Sequence, residues 1–154
     1  MGLLVALVLA ALPAPVTLHG VGGVTPGMSP AQVSKAWGVP VVLAAAAPGS
    51  TCQTARISRG AVRGSAIFER KRFGAVFFQA GAATDAGIRT GSTVAALRKA
   101  YGARLKVFPD KYTPKAKTAY VGGAWKLRFD VSAKGRVTAI GFGGTPVTYS
   151  EGCS

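Results

Sequence analysis

The chain has 154 residues, enough for one ordinary domain or two very small ones. Nineteen Lys and Arg face five Asp and Glu, a net charge of +14, so any polyanion attracts the chain; charge that serves solubility alone is the other reading of the same numbers. The single histidine, His19, lies beside the expected leader cleavage site, which leaves no Ser-His-Asp or Cys-His constellation for a folded region, and the five acids show no metal-ligand spacing.

Residues 1–18 (MGLLVALVLAALPAPVTL) carry no charged side chain. The apolar run from Gly2 to Leu12 suits a signal-peptide core and falls short of the roughly 20 residues that span a bilayer. Pro13-Ala14-Pro15 follows, and the expected cut lies near Ala14. A basic residue at the start is missing, so a buried N-terminal helix or an uncleaved anchor stays open. The expected organisation is a leader over 1–18, a first unit over 19–84 and a second over 85–154.

The two units come from a repeat. GMSPAQVSKAWG (27–38) aligns without a gap to GSTVAALRKAYG (91–102), with five of twelve positions identical. In the first copy Ser29 is a natural N-cap, Pro30 suits the first helical position, and Gln32 completes a capping box. Val33, Ala36 and Trp37 form one apolar face, and Gly38 with Pro40 ends the helix. In the second copy Thr93 caps, Leu97 and Tyr101 face one way, and Gly102 terminates. Helices this short do not persist alone and must dock on something.

Strand patterns follow each helix: 51–58, 62–70 and 73–79 in the first half, then 105–108, 119–121, 125–131 and 136–142 in the second. A charged hairpin tip, Arg70-Lys71-Arg72, joins the second and third strands, and Lys134-Gly135 makes the last tight turn. In WKLRFDV (125–131), Leu127, Phe129 and Val131 alternate with Lys126, Arg128 and Asp130, which predicts one face on the core and one in water. The fold expected is therefore α+β: two tandem units, each a short helical segment packed on an antiparallel β-meander, in one body. Gly141-x-Gly143-Gly144 lacks the context of a phosphate loop and reads as turn. Cys52 and Cys153 allow one intrachain disulfide, with two buried thiols as the alternative.

The pattern at 25–40 resembles the opening of SmpA/OmlA-type domains, small envelope modules of helices on an antiparallel sheet. Two copies in tandem resemble the β-lactamase inhibitory protein fold, and AGIRTGSTVAALRKAYG (86–102) with the terminal EGCS resembles small secreted actinobacterial proteins of unknown function. The resemblance implies the fold. It does not carry the inhibitor's target over, because that family has a disulfide within each half and an acidic binding face, whereas here each half has one Cys and the chain is basic.

The function these residues point to is secreted, non-catalytic binding, with no cofactor and no metal. The partner is a protein met by the solvent face of the sheet; the alternative is an envelope module held by charge to anionic lipid or wall polymer. Specific nucleic-acid binding is not expected, since no long basic run or interleaved aromatic motif occurs, and the chain is expected to be a monomer. Candidate binding residues are Tyr112, Tyr120, Tyr149, Lys126 and Arg128, with Arg70, Lys71 and Arg72 at the hairpin tip.

Overall fold

A computed structural model describes residues 11–153. A two-stranded ribbon, β1 (Val16–Thr17) and β2 (Gly20–Val21), precedes helix α1 (Pro30–Trp37). Then come β3 (Cys52–Arg59), β4 (Val62–Glu69), β5 (Arg72–Ala80), helix α2 (Val94–Tyr101), β6 (Lys106–Pro109), β7 (Lys117–Gly122), β8 (Lys126–Val131) and β9 (Val137–Gly143). Strands β3 to β9 make one antiparallel sheet in the order β3-β4-β5-β9-β8-β7-β6.

Both helices form where the repeat placed them. Ser29 Oγ accepts from the Gln32 N–H, the Gln32 side chain accepts from the Ser29 N–H at 2.9 Å, and Gly38 closes the helix at φ 65°. Thr93 caps α2 through the Ala96 N–H.

The architecture differs from two tandem α+β units. The protein is mostly β, and a single seven-stranded sheet replaces two helix-on-meander bodies. The reason is edge pairing. Each three- or four-stranded meander ends on an apolar strand with an unpaired edge, and β5 and β9 bond directly through Ala75↔Gly143, Val76↔Phe142, Phe77↔Gly141 and Phe78↔Ile140. An eight-residue helix is also too short to cover a meander by itself. Trp37 of α1 packs edge-on against Phe73, Tyr101 of α2 lies against Phe129, and the remaining cover comes from residues 12–24, including Leu12, Val16, Val21 and Val24. The Trp37 indole N–H donates to the Val21 carbonyl at 2.7 Å, tying helix to ribbon.

The expected leader is only partly within the described residues. Residues 1–10 lie outside them. Leu12 and Val16 are core residues: the Leu12 N–H donates to the Trp37 carbonyl at 3.3 Å and the Val16 N–H to the Ala83 carbonyl at 2.9 Å. No helix among the described residues is long and apolar enough to cross a membrane.

Candidate binding face

The ladder register lays residues out in rows across the sheet. One row faces the helices: Ile57, Gly64, Phe78, Ile140, Phe129, Ala119 and Val107. The adjacent row faces away: Arg56, Ser65, Phe77, Gly141, Arg128, Tyr120 and Lys106. The alternation in 125–131 is thus as read from sequence, with Leu127, Phe129 and Val131 buried in the core.

The centre of this second face is not open. After β9 the chain makes a 3-10 turn (Thr145–Thr148) and crosses the sheet as a strap ending at Cys153. Arg128 lies beneath it at 9% exposure. Its Nη1 donates to the carbonyls of Val147 (3.1 Å) and Tyr149 (2.9 Å), its Nε to Asp130 (2.8 Å), and the guanidinium sits over the rings of Phe77 and Tyr120. Nε and Nη1 both find acceptors and the planar cation is flanked by aromatic faces, which makes its burial tolerable. The polar side of an amphipathic strand is here the floor beneath a second segment, so Arg128 is not free for a partner.

Glycines make room for the strap. A Cβ on Gly74 would stand 2.6 Å from Pro146 Cγ, and one on Gly141 would press on the Phe77 ring and on Val147 at 3.0–3.1 Å. Gly141 and Gly143, read from sequence as part of a turn, are therefore the end of β9, kept bare for close approach.

Three further ties hold the strap. Cys153 is bonded to Cys52 at the start of β3, with Cα atoms 5.3 Å apart. Tyr149 donates its phenol proton to Glu69 at 3.0 Å, and burial, reinforced by Glu69, raises its pKa. Tyr112, in the loop after β6, donates to the Glu151 carboxylate. The strap is thus pinned to both edge strands' neighbourhoods.

Grooves remain on either side of it. One, of about 430 Å³, is lined by Cys52, Glu69, Lys111, Tyr112, Tyr149 and Glu151. The other, of about 340 Å³, is lined by Phe108, Lys111, Tyr112, Tyr120, Arg128 and Ser150. In the second, Phe108 is 53% and Tyr112 56% exposed, and Phe108 lies 6.1 Å from the half-buried Tyr120. Lys111 Nζ stands 5.0 Å from the Tyr112 ring centroid. Asp110 turns inward, accepting from the Thr113 (2.7 Å) and Tyr112 (2.8 Å) N–H groups, which hold its carboxyl below the usual aspartate range.

The structure therefore brings Tyr112, Tyr120 and Arg128 together around one groove, and Tyr112 and Tyr149 around the other. Lys126 and Arg70–Arg72 line neither groove. Lys126 turns its ammonium to the Gly123 carbonyl. Arg70 and Lys71 form a two-residue turn, both with positive φ (49° and 60°), and project with Arg72 into solvent. Sequence reading missed Phe108. Its strand is only four residues long, so alternation does not mark which side chain faces out, although the following Pro109-Asp110 signals a strand end at a sheet margin.

No protein-family model matches the chain, and no curated protein matches it in sequence. Solved structures similar in fold include the following two. A cysteine-rich secretory protein (SAV1118) from Staphylococcus aureus superposes with a TM-score of 0.56 at 10% identity, over 86% of this chain and 48% of that one. A DUF4309 family protein (YjgB) from Bacillus subtilis superposes with a TM-score of 0.53 at 13% identity, over 76% of this chain and 78% of that one. At these identities the likeness shows the fold alone. The chain spans about half the length of the staphylococcal protein. Neither structure bears on the SmpA/OmlA-type resemblance.

Proposed function

We propose that the protein is a secreted, non-catalytic binding module that engages a protein partner at the β6–β7 end of its second sheet face. The observation that carries this reading is the pair of exposed rings, Phe108 and Tyr112, beside Tyr120 at the mouth of a groove. Large aromatic side chains left in water on a folded surface are the usual anchors of protein interfaces. The likeness of the helix openings to SmpA/OmlA-type modules belongs to the same proposal. The Cys52–Cys153 bond and the secretory protein of similar fold support an extracellular setting. A cut after Ala14 would remove Leu12, a buried core residue.

The test uses the full chain secreted by its producer, with a photo-crosslinking residue at Phe108 and, as control, at exposed Ala45. A single protein adduct from position 108 alone is the expected result. Adducts at both positions, or none at either, sink the reading. The second reading, an envelope module held to anionic lipid or wall polymer, draws on the +14 charge. It requires retention on envelope preparations that falls steeply with added salt; retention indifferent to salt rules it out.

A further inference from the structure

We propose that the free edge of β6 accepts an extended acidic peptide as an added strand. This rests on the protein-partner reading and gives it a binding mode. The two edges of the sheet are treated differently. At the β3 edge the preceding segment lies alongside: the Ala44 N–H donates to the Thr54 carbonyl at 2.7 Å, and the Gln53 side chain donates to the Ala44 carbonyl at 3.0 Å. At the β6 edge the strand pairs with β7 alone, and Lys106, Phe108 and Pro109 are exposed. A bare edge offers backbone donors and acceptors to any extended segment.

Charge selects which segment. RLKVFPDKYTPKAK (104–117) holds five bases and one acid. That acid, Asp110, keeps its negative charge while accepting from its own loop, so five bases against one acid leave this segment a net +4. Lys106 on the edge repels a second copy of this basic strand, and Pro109 ends the pairing where its N–H is missing. The same lysine attracts an acidic strand. Because Phe108 and Lys106 share one face of β6, alternate side chains of the added strand fall beside a ring and an ammonium. The groove behind Phe108, lined by Tyr112 and Tyr120, takes an apolar side chain, while the acid two residues along the added strand meets Lys106 on the same face. Four residues of β6 span about 13 Å at ~3.3 Å each, so the recognised core is short. The other exposed basic feature, the Arg70–Lys71 turn, is a convex tip outside both grooves and offers no such template.

The experiment titrates the full chain with the capped peptide Ac-Val-Thr-Glu-Thr-Glu-amide, whose first and third side chains share one face, and follows backbone amides by NMR. Saturable shifts centred on Lys106, Val107 and Phe108 are expected, with roughly tenfold weaker binding after Lys106→Glu. Two peptide analogues carry N-methyl groups on alternate residues, in complementary sets. One set should weaken binding about tenfold or more while the other leaves it nearly intact, because only every second N–H of an added strand points at the edge. Equal affinity for both sets and the parent means charge alone binds, and overturns strand addition while leaving the protein-partner reading standing. Shifts centred on the 70–72 turn, or no binding, overturn the proposal; a protein still crosslinked from position 108 then shows that the partner binds another way.

Discussion

Arg128 Nη1 donates to the carbonyl oxygen of Tyr149 at 2.9 Å, across 21 residues of chain. That bond, with its companion to Val147, fixes the C-terminal strap on the face of the sheet that strand alternation alone assigns to water. Arg128→Lys keeps the charge and loses the fork that serves Asp130 and the two carbonyls together. We expect a loss of about 1.5–3 kcal/mol in urea denaturation, the range for hydrogen bonds to charged groups, and faster amide exchange over the strap. An unchanged midpoint would show that the lysine serves equally well.

Cys52 and Cys153 close a loop of 101 residues. Constraint of an unfolded loop of this length is worth about 4.7 kcal/mol in the chain-entropy model. Replacing both with Ser should lower unfolding free energy by about that amount. A loss below about 1 kcal/mol would mean that the strap's hydrogen bonds already hold the C-terminus in the unfolded ensemble.

Glycine matters where backbone must approach closely. A Cβ on Gly143 would stand 2.6 Å from Ala75 Cα on the partner strand, whereas one on Gly123 meets nothing within 4 Å. Gly143→Ala should cost at least about 1–3 kcal/mol by overpacking, and Gly123→Ala should stay within about 0.5 kcal/mol of the parent. Equal melting temperatures for the two variants would contradict the β5–β9 packing.

The Tyr101 hydroxyl is buried without a well-formed hydrogen bond among the described residues, although the nearby Thr84 hydroxyl, which accepts from the Ile88 N–H, still has its own proton to offer and opposes part of the effect of burial. Burial accordingly raises the phenol's pKa. Tyr101→Phe removes a poorly partnered polar atom and keeps the ring against Phe129. Thermal unfolding should show a variant as stable as the parent or more so; a clear drop would reveal a partner such as a bound water.

Asp110 gives the loop after β6 a defined pH response. Its carboxyl pKa is lowered because the ionised form accepts from the Thr113 and Tyr112 N–H groups. The stabilisation is therefore fully present above the unfolded aspartate value of about 3.9, and it is lost as pH falls through the lower folded value. The amide signals of Tyr112 and Thr113 should titrate together with a midpoint below ~3.9, and the step should vanish in Asp110→Asn. A midpoint at or above that value refutes the assignment.

Much of the local structure was legible beforehand. Ser29, Gln32 and Gly38 mark the ends of α1 because caps act within a few residues. The alternation of 125–131 identifies which side chains enter the core. The candidate site was legible only in fragments. Tyr112 and Tyr120 were named from residue type, while Phe108, which completes their groove, sits on a strand too short to show a period.

By itself the sequence determined where two helices begin and end, which faces of the strands are apolar, and that Cys52 had one possible intrachain partner. The tertiary structure alone decided that β5 and β9 join two meanders into one sheet, that the two cysteines bond, and that Arg128 lies under a strap. Periodicity reports that a face is apolar or polar. It carries no information about which distant segment will cover that face, because such pairing is chosen among many edges and surfaces of similar local chemistry and only the assembled chain selects one.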